Sequence, residues 1–149
     1  MNAQEMLKYA KRYRQLWADH DLDALLKLHH PDCELHVLGT EPVRGLDSIR
    51  QAFASLFDQF PDLYFEGRAL HAGDAHFVSE WTVSGTPSES AIAVFGLAGE
   101  SDRSMQCLGT DIFTVEDGLI TSKHSYYDTL EIAKQLGIVP ALEAEPVSR

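Results

Sequence analysis

Basic residues are scarce in this chain. Twelve Lys and Arg face 23 Asp and Glu across 149 residues, leaving a formal net charge of −11. A surface of that sign repels phosphate backbones and anionic lipid, so neither nucleic acid nor a membrane face is expected as a partner. Long apolar runs are also missing, and nothing approaches the roughly 18 residues needed to cross a bilayer. The opening segment MNAQEMLKYAKRYRQLWADH is too charged to hold the apolar core of an export signal, so a cytoplasmic protein is expected. Only two cysteines occur, Cys33 and Cys107, far apart and without metal-ligand spacing; they read as buried reduced thiols. Seven histidines are present, yet none forms an H-x-x-x-H pair, so no metal is expected.

What remains is a globular composition, 44% apolar and 23% charged, of a length suited to one domain. Residues 1–140 are read as that domain and 141–149 as a loose tail. Met6, Tyr9, Ala10, Tyr13, Leu16 and Trp17 follow helical spacing over residues 3–19. DHDLDALLKLHHPD suggests a second helix stopped by Pro31, followed by a short strand CELHVLG and turn chemistry in TEPVRG. A third helix, capped near Asp47 or Ser48, carries Ile49, Ala52, Phe53, Leu56, Phe57 and Phe60 and ends before Pro61. Two strand pairs follow, one hinged near Gly73-Asp74 and one at Asp117-Gly118. Between the pairs lies TPSESAIAVFGLAGESDRS, a long loop that includes Phe95 and suits a lid or an extended strand tip. A short helix, DTLEIAKQLG, closes the domain. Helices first and antiparallel strands afterwards give an α+β fold, a curved sheet wrapped around the N-terminal helices as a cone that encloses a pocket.

One residue breaks the strand pattern. Along MQCLGTDIFTVEDG, Met105, Cys107, Gly109, Asp111, Phe113 and Val115 share a face, and Asp111 is the only carboxylate among otherwise apolar or small residues. A carboxylate in an apolar row is costly to bury unless it is protonated or hydrogen-bonded, which makes Asp111 the first candidate for chemistry. Tyr13 defaults to a core aromatic with a satisfied hydroxyl. Alternation in CELHVL places His36 with Glu34 and Leu38, opposite Cys33, Leu35 and Val37, so His36 reaches a pocket only if that face opens at the mouth of the cone. Trp81, Phe53, Phe57 and Phe95 read as core or lid first and as substrate walls second. His124 and Tyr126 stand with Tyr127 and Asp128 at the polar-aromatic end of the last strand, and parity alone does not say which of them face inward.

The closing segment FTVEDGLITSKHSYYDTLEIAKQLGI resembles the end of many SnoaL-like sequences, and RYRQLWADHDLDALL with HVLGTEPVRGLDSIRQAF resembles ketosteroid isomerases. The chain is thereby identified as resembling the nuclear transport factor 2-like superfamily on its enzyme side, over roughly residues 5–138. That resemblance implies a cofactor-free enzyme moving a proton beside a carbonyl of a small hydrophobic substrate, as an isomerase or an intramolecular aldol cyclase. It also implies a homodimer. By the resemblance Tyr13 and Asp111 would bind the developing enolate oxygen and His36, standing where the isomerases have their base aspartate, would take the proton; in the cyclase variant Asp111 is the base. Limonene epoxide hydrolases share the fold, but the acid of their closing strand is replaced here by Ser125. A binding protein without chemistry, and dehydration or epoxide opening in the same pocket, are the alternatives.

Overall fold

The computed structural model describes residues 1–91 and 103–138. In chain order the elements are α1 (Ala3–Ala18), α2 (Leu22–Lys27), β1 (His29–Val37), β2 (Val43–Arg44), α3 (Leu46–Gln59), β3 (Tyr64–Ala72), β4 (His76–Gly85), β5 (Met105–Glu116), β6 (Leu119–Tyr127) and α4 (Thr129–Gln135). Phe95 and the tail after residue 140 lie outside the described residues.

α1 starts on a reciprocal cap: Glu5 N–H donates to Asn2 Oδ1 at 3.0 Å, and Asn2 N–H donates to Glu5 Oε2 at 2.9 Å. Its buried residues, Met6, Ala10, Tyr13 and Trp17, form one stripe at helical spacing and lie on the sheet. Arg14 fastens the helix to a β-bulge in β3, where the register slips between Gly67 and Ala69. Its guanidinium donates to the carbonyls of Ala69 and Glu80 and, at 3.0 Å, to Ser79 Oγ.

Two expected boundaries move. The second helix ends at Lys27, and Pro31 lies inside β1 instead of stopping a helix. Pairing of β1 with β6 skips from His29 to Glu34, so Pro31 sits where no ladder amide is required. α3 takes Gly45 as its cap, not Asp47 or Ser48. The Gly45 N–H is held by Cys33 O, and its φ of +90° turns the chain straight from β2 into the helix.

The sheet order is β2-β1-β6-β5-β4-β3. Neighbours are antiparallel except β1 and β6, which run parallel and return the N-terminal strand to the middle of the sheet. The β5–β6 hairpin turns at Asp117 (φ +48°) and Gly118 (φ +77°), the pair of positive angles that matches strand twist in a two-residue loop. The helices cover one face of this curved sheet, giving the α+β cone. Along β5 the inner row is Met105, Cys107, Asp111, Phe113 and Val115, all buried, whereas Leu108 and Ile112 on the outer face are 62% and 41% exposed. Gly109 is the gap in that row, where the indole of Trp81 lies directly over the strand. A methyl group on Gly109 would overlap Trp81 Cη2. Gly109→Ala is therefore expected to cost about 1–3 kcal/mol and to displace the indole, read as a lower denaturation midpoint with a shift in tryptophan fluorescence.

Candidate functional site

Inside the cone is a cavity of about 660 Å³. Phe53, Phe65, Trp81, Val83, Met105 and Tyr127 make its apolar walls, and Asp111, Lys123 and Ser125 make a small polar floor. Cross-strand pairing builds that floor: Asp111 of β5 stands opposite Ser125 of β6, and Phe113 stands opposite Lys123. Lys123 Nζ lies 3.7 Å from Asp111 Oδ2, and the two side chains are 8% and 10% exposed. The separation suits an ion pair but exceeds a good hydrogen bond, so the ammonium protons stay available to a ligand oxygen. Four rings surround the ammonium, Trp17 at 4.8 Å, Phe53 at 5.2 Å, Phe113 at 5.6 Å and Tyr13 at 5.7 Å. Ring faces and carboxylate together favour a fixed cation.

Such a pair is a poor device for stability. Removing two charges from water costs several kcal/mol each, and well-packed apolar residues of the same volume commonly do as well or better. A buried acid beside a buried cation at the floor of a mainly apolar cavity can meet the polar atoms of a ligand.

Tyr13 is buried, but its phenol is already engaged. His29 Nδ1 lies 2.8 Å from the carbonyl of Leu25 and must carry the ring proton there, which leaves Nε2 to accept from the Tyr13 hydroxyl at 3.4 Å. Burial pushes the Tyr13 phenol well above its usual value and lowers His29 to about 4, keeping both neutral. Folding thus holds His29 unprotonated, whereas the unfolded chain binds its proton near 6.5. That contribution is complete above the unfolded value and fades as pH falls towards 4. Between pH 7 and 4.5 it amounts to roughly 2–3 kcal/mol. Urea denaturation at the two pH values should show this loss, and His29→Gln should diminish it.

His36 does not reach the cavity. It sits on the outer face of β1, where its Nε2 is 3.2 Å from Glu34 Oε2 and its ring stacks on His124 at 4.2 Å. Burial of Leu35 against the core fixes that parity, since neighbours on a strand point to opposite faces. His124 and Tyr126 likewise face outward, and Tyr127 is the aromatic residue of β6 that lines the cavity. Of the expected aromatic walls, Trp81 and Phe53 line the cavity, whereas Phe57 stacks on His20 at 4.3 Å and packs against Trp17 outside it. Lys123 was not expected. Nothing in the alternation of LITSKHSYY marks it as buried, because β6 loses step with β5 between Thr114 and Val115.

Among the described residues no cluster of His, Cys, Asp or Glu could hold a metal, and no helix is long and apolar enough to cross a membrane. Both cysteines are buried free thiols.

Residues 8–136 match the family model described as SnoaL-like polyketide cyclase. No curated protein matches the chain. Among solved structures, a provisionally named polyketide cyclase from Xanthomonas campestris pv. campestris is 20% identical, covering 91% of this chain and 99% of its own, with a TM-score of 0.81. TsrD from Streptomyces laurentii is 22% identical over 93% of this chain and 99% of its own, at 0.73. A Catenulispora acidiphila protein with a ketosteroid isomerase-like fold, in complex with trimethylamine, is 15% identical over 89% and 94%, also at 0.73. At these identities the likeness is one of fold.

Proposed function

Because the chain belongs to the SnoaL-like polyketide cyclase family, one of small-molecule cyclases and isomerases, we propose that the Asp111–Lys123 pair is the proton-transfer centre of a cofactor-free enzyme. The substrate is a small hydrophobic ketone. Its apolar body lies between Phe53, Trp81 and Tyr127, and its carbonyl oxygen approaches Lys123. Asp111 removes a proton from the carbon next to the carbonyl, and negative charge builds on an oxygen that already faces a fixed ammonium. Returning the proton to another carbon is isomerisation. Attack of the enolate on a second carbonyl of the same molecule, with that oxygen taking up the proton, is aldol cyclisation. His36, pointing outward, has no part in this scheme, and Tyr13 acts as a wall behind Lys123.

The buried pair at the cavity floor is the observation that carries this reading. β-Naphthol is a flat mimic of the enol, with a hydroxyl that can give its proton to Asp111 and rest its oxygen on Lys123. It should bind at least about tenfold more tightly than its methyl ether, equivalent to about 1.4 kcal/mol. The preference should shrink in Lys123→Met, measured by calorimetric titration. Equal affinities for the two compounds in the unmodified protein would remove the polar floor from the account.

A further inference from the structure

Lys123 is not the only cation beside Asp111. Arg14 of α1, Asp111 and Lys123 all border a second space of about 20 Å³, and Arg14 has no place on the wall of the large cavity. The sheet holds the guanidinium there. Its Nε donates to Ser79 Oγ at 3.0 Å, and Ser79 on β4 is the cross-strand partner of Asp111 on β5. Its Nη2 donates to the carbonyls of Ala69 and Glu80, residues that pair across β3 and β4. A Cβ on Gly67 would overlap Nη1 and Cζ, so the guanidinium depends on that bare stretch of backbone for its place. Burial lowers the guanidinium from its usual value, and the charge of Asp111 works against that lowering. The interaction is mutual: the attraction that holds a proton on Arg14 equally discourages one on Asp111. Tyr13, Tyr127, His29 and Cys33 are the other buried titratable groups that sense Asp111 or Lys123, and all are neutral near neutral pH. Burial raises the two phenols and pushes the Cys33 thiol up to about 11, and it lowers His29 to about 4.

We propose that Arg14 is a positioning residue of the proton-transfer centre: its fixed charge, acting through Asp111, keeps that base ionised further down the pH scale than Lys123 alone would. This role rests on Asp111 as the base. The two cations then divide the work. Lys123 meets the substrate oxygen in the cavity, whereas Arg14 touches no substrate and sets the acid edge of the range in which the site works. The sign follows from the charge. Without Arg14 the carboxylate takes up a proton earlier as pH falls, and a protonated Asp111 can remove nothing from a ketone. Arg14 also ties α1 to the sheet, so any substitution there lowers stability; only the loss of its charge moves the acid edge.

Two measurements on the unmodified protein, Arg14→Met and Arg14→Lys test this, with Arg14→Gln in place of Arg14→Met should the latter fail to fold. The first is the pH profile of deuterium exchange into β-tetralone. At the pH where the unmodified protein works at half its maximal rate, Arg14→Met should work at no more than about a quarter of its own maximum. Arg14→Lys keeps the charge without the fork of donors, so it should lose stability in urea while its profile stays in place. The second follows the carboxyl carbon-13 signal of Asp111, assigned by its disappearance in Asp111→Asn, through a pH titration without substrate. Its midpoint should lie at higher pH in Arg14→Met and stay in place in Arg14→Lys. An unmoved midpoint in Arg14→Met, or an equal displacement in Arg14→Lys, overturns the proposal and leaves Asp111 as the base. A displaced midpoint with an unchanged rate profile, or with no ketone exchange at all, overturns Asp111 as the base and the part of Arg14 in the reaction with it.

Discussion

Asp111→Asn is expected to slow removal of α-protons from a hydrophobic ketone by about a hundredfold or more, the usual scale for losing a positioned general base. The substitution suits the question because asparagine keeps the shape of the side chain and still offers Lys123 an oxygen, but has no basic site. The carboxylate is 3.7 Å from the ammonium and buried at the floor of the cavity. Rates would be measured by proton NMR in heavy water and normalised to folded protein by circular dichroism. Exchange within about threefold of the unmodified enzyme would mean that Asp111 only orients the substrate.

The second large effect is on stability. Lys123→Met leaves the Asp111 carboxylate buried among apolar groups without its counter-charge, which typically costs about 3–5 kcal/mol. Methionine keeps the length and much of the volume of the lysine stem, and it stays in contact with the Trp17, Phe53 and Phe113 rings, so the loss is electrostatic more than steric. Adding Asp111→Leu removes the stranded charge. The double variant should therefore recover to within about 1 kcal/mol of the unmodified protein, or exceed it, in urea denaturation. Additive losses from the two substitutions would show that the charges are not coupled, and would contradict the floor described above.

The fold was largely legible in the sequence because its elements have clean periods. The α1 stripe of Met6, Ala10, Tyr13 and Trp17 and the β5 alternation around Asp111 both appear in the structure at their expected burial. The Asp117-Gly118 hinge was equally readable, since few residue pairs accept two positive φ angles. The site was harder to read, and one residue accounts for most of the difference. Beyond the hinge β6 pairs Leu119 with Glu116 and Ile120 with Val115, then skips Thr121, so that Ser122 faces Thr114. That bulge reverses the parity of everything after it. Counting across the hinge without the bulge would place His124 opposite Asp111; with it, Ser125 stands there and Lys123 joins the floor. Nothing local in LITSKHSYY announces the extra residue, which is why His124 and Tyr126 looked as eligible as their neighbours. His36 fails for a different reason. Its functional reading came through resemblance, whereas its own alternation with Leu35 already placed it on the opposite face.

The most direct test is the rate at which the unmodified protein exchanges the α-protons of β-tetralone, a ketone that fits the cavity's apolar chemistry, for deuterium. The account predicts exchange well above the buffer rate, saturating with ketone and lost in Asp111→Asn. Saturable binding of the ketone with exchange no faster than in buffer would contradict it, and would make the cone a ligand-binding cavity without chemistry.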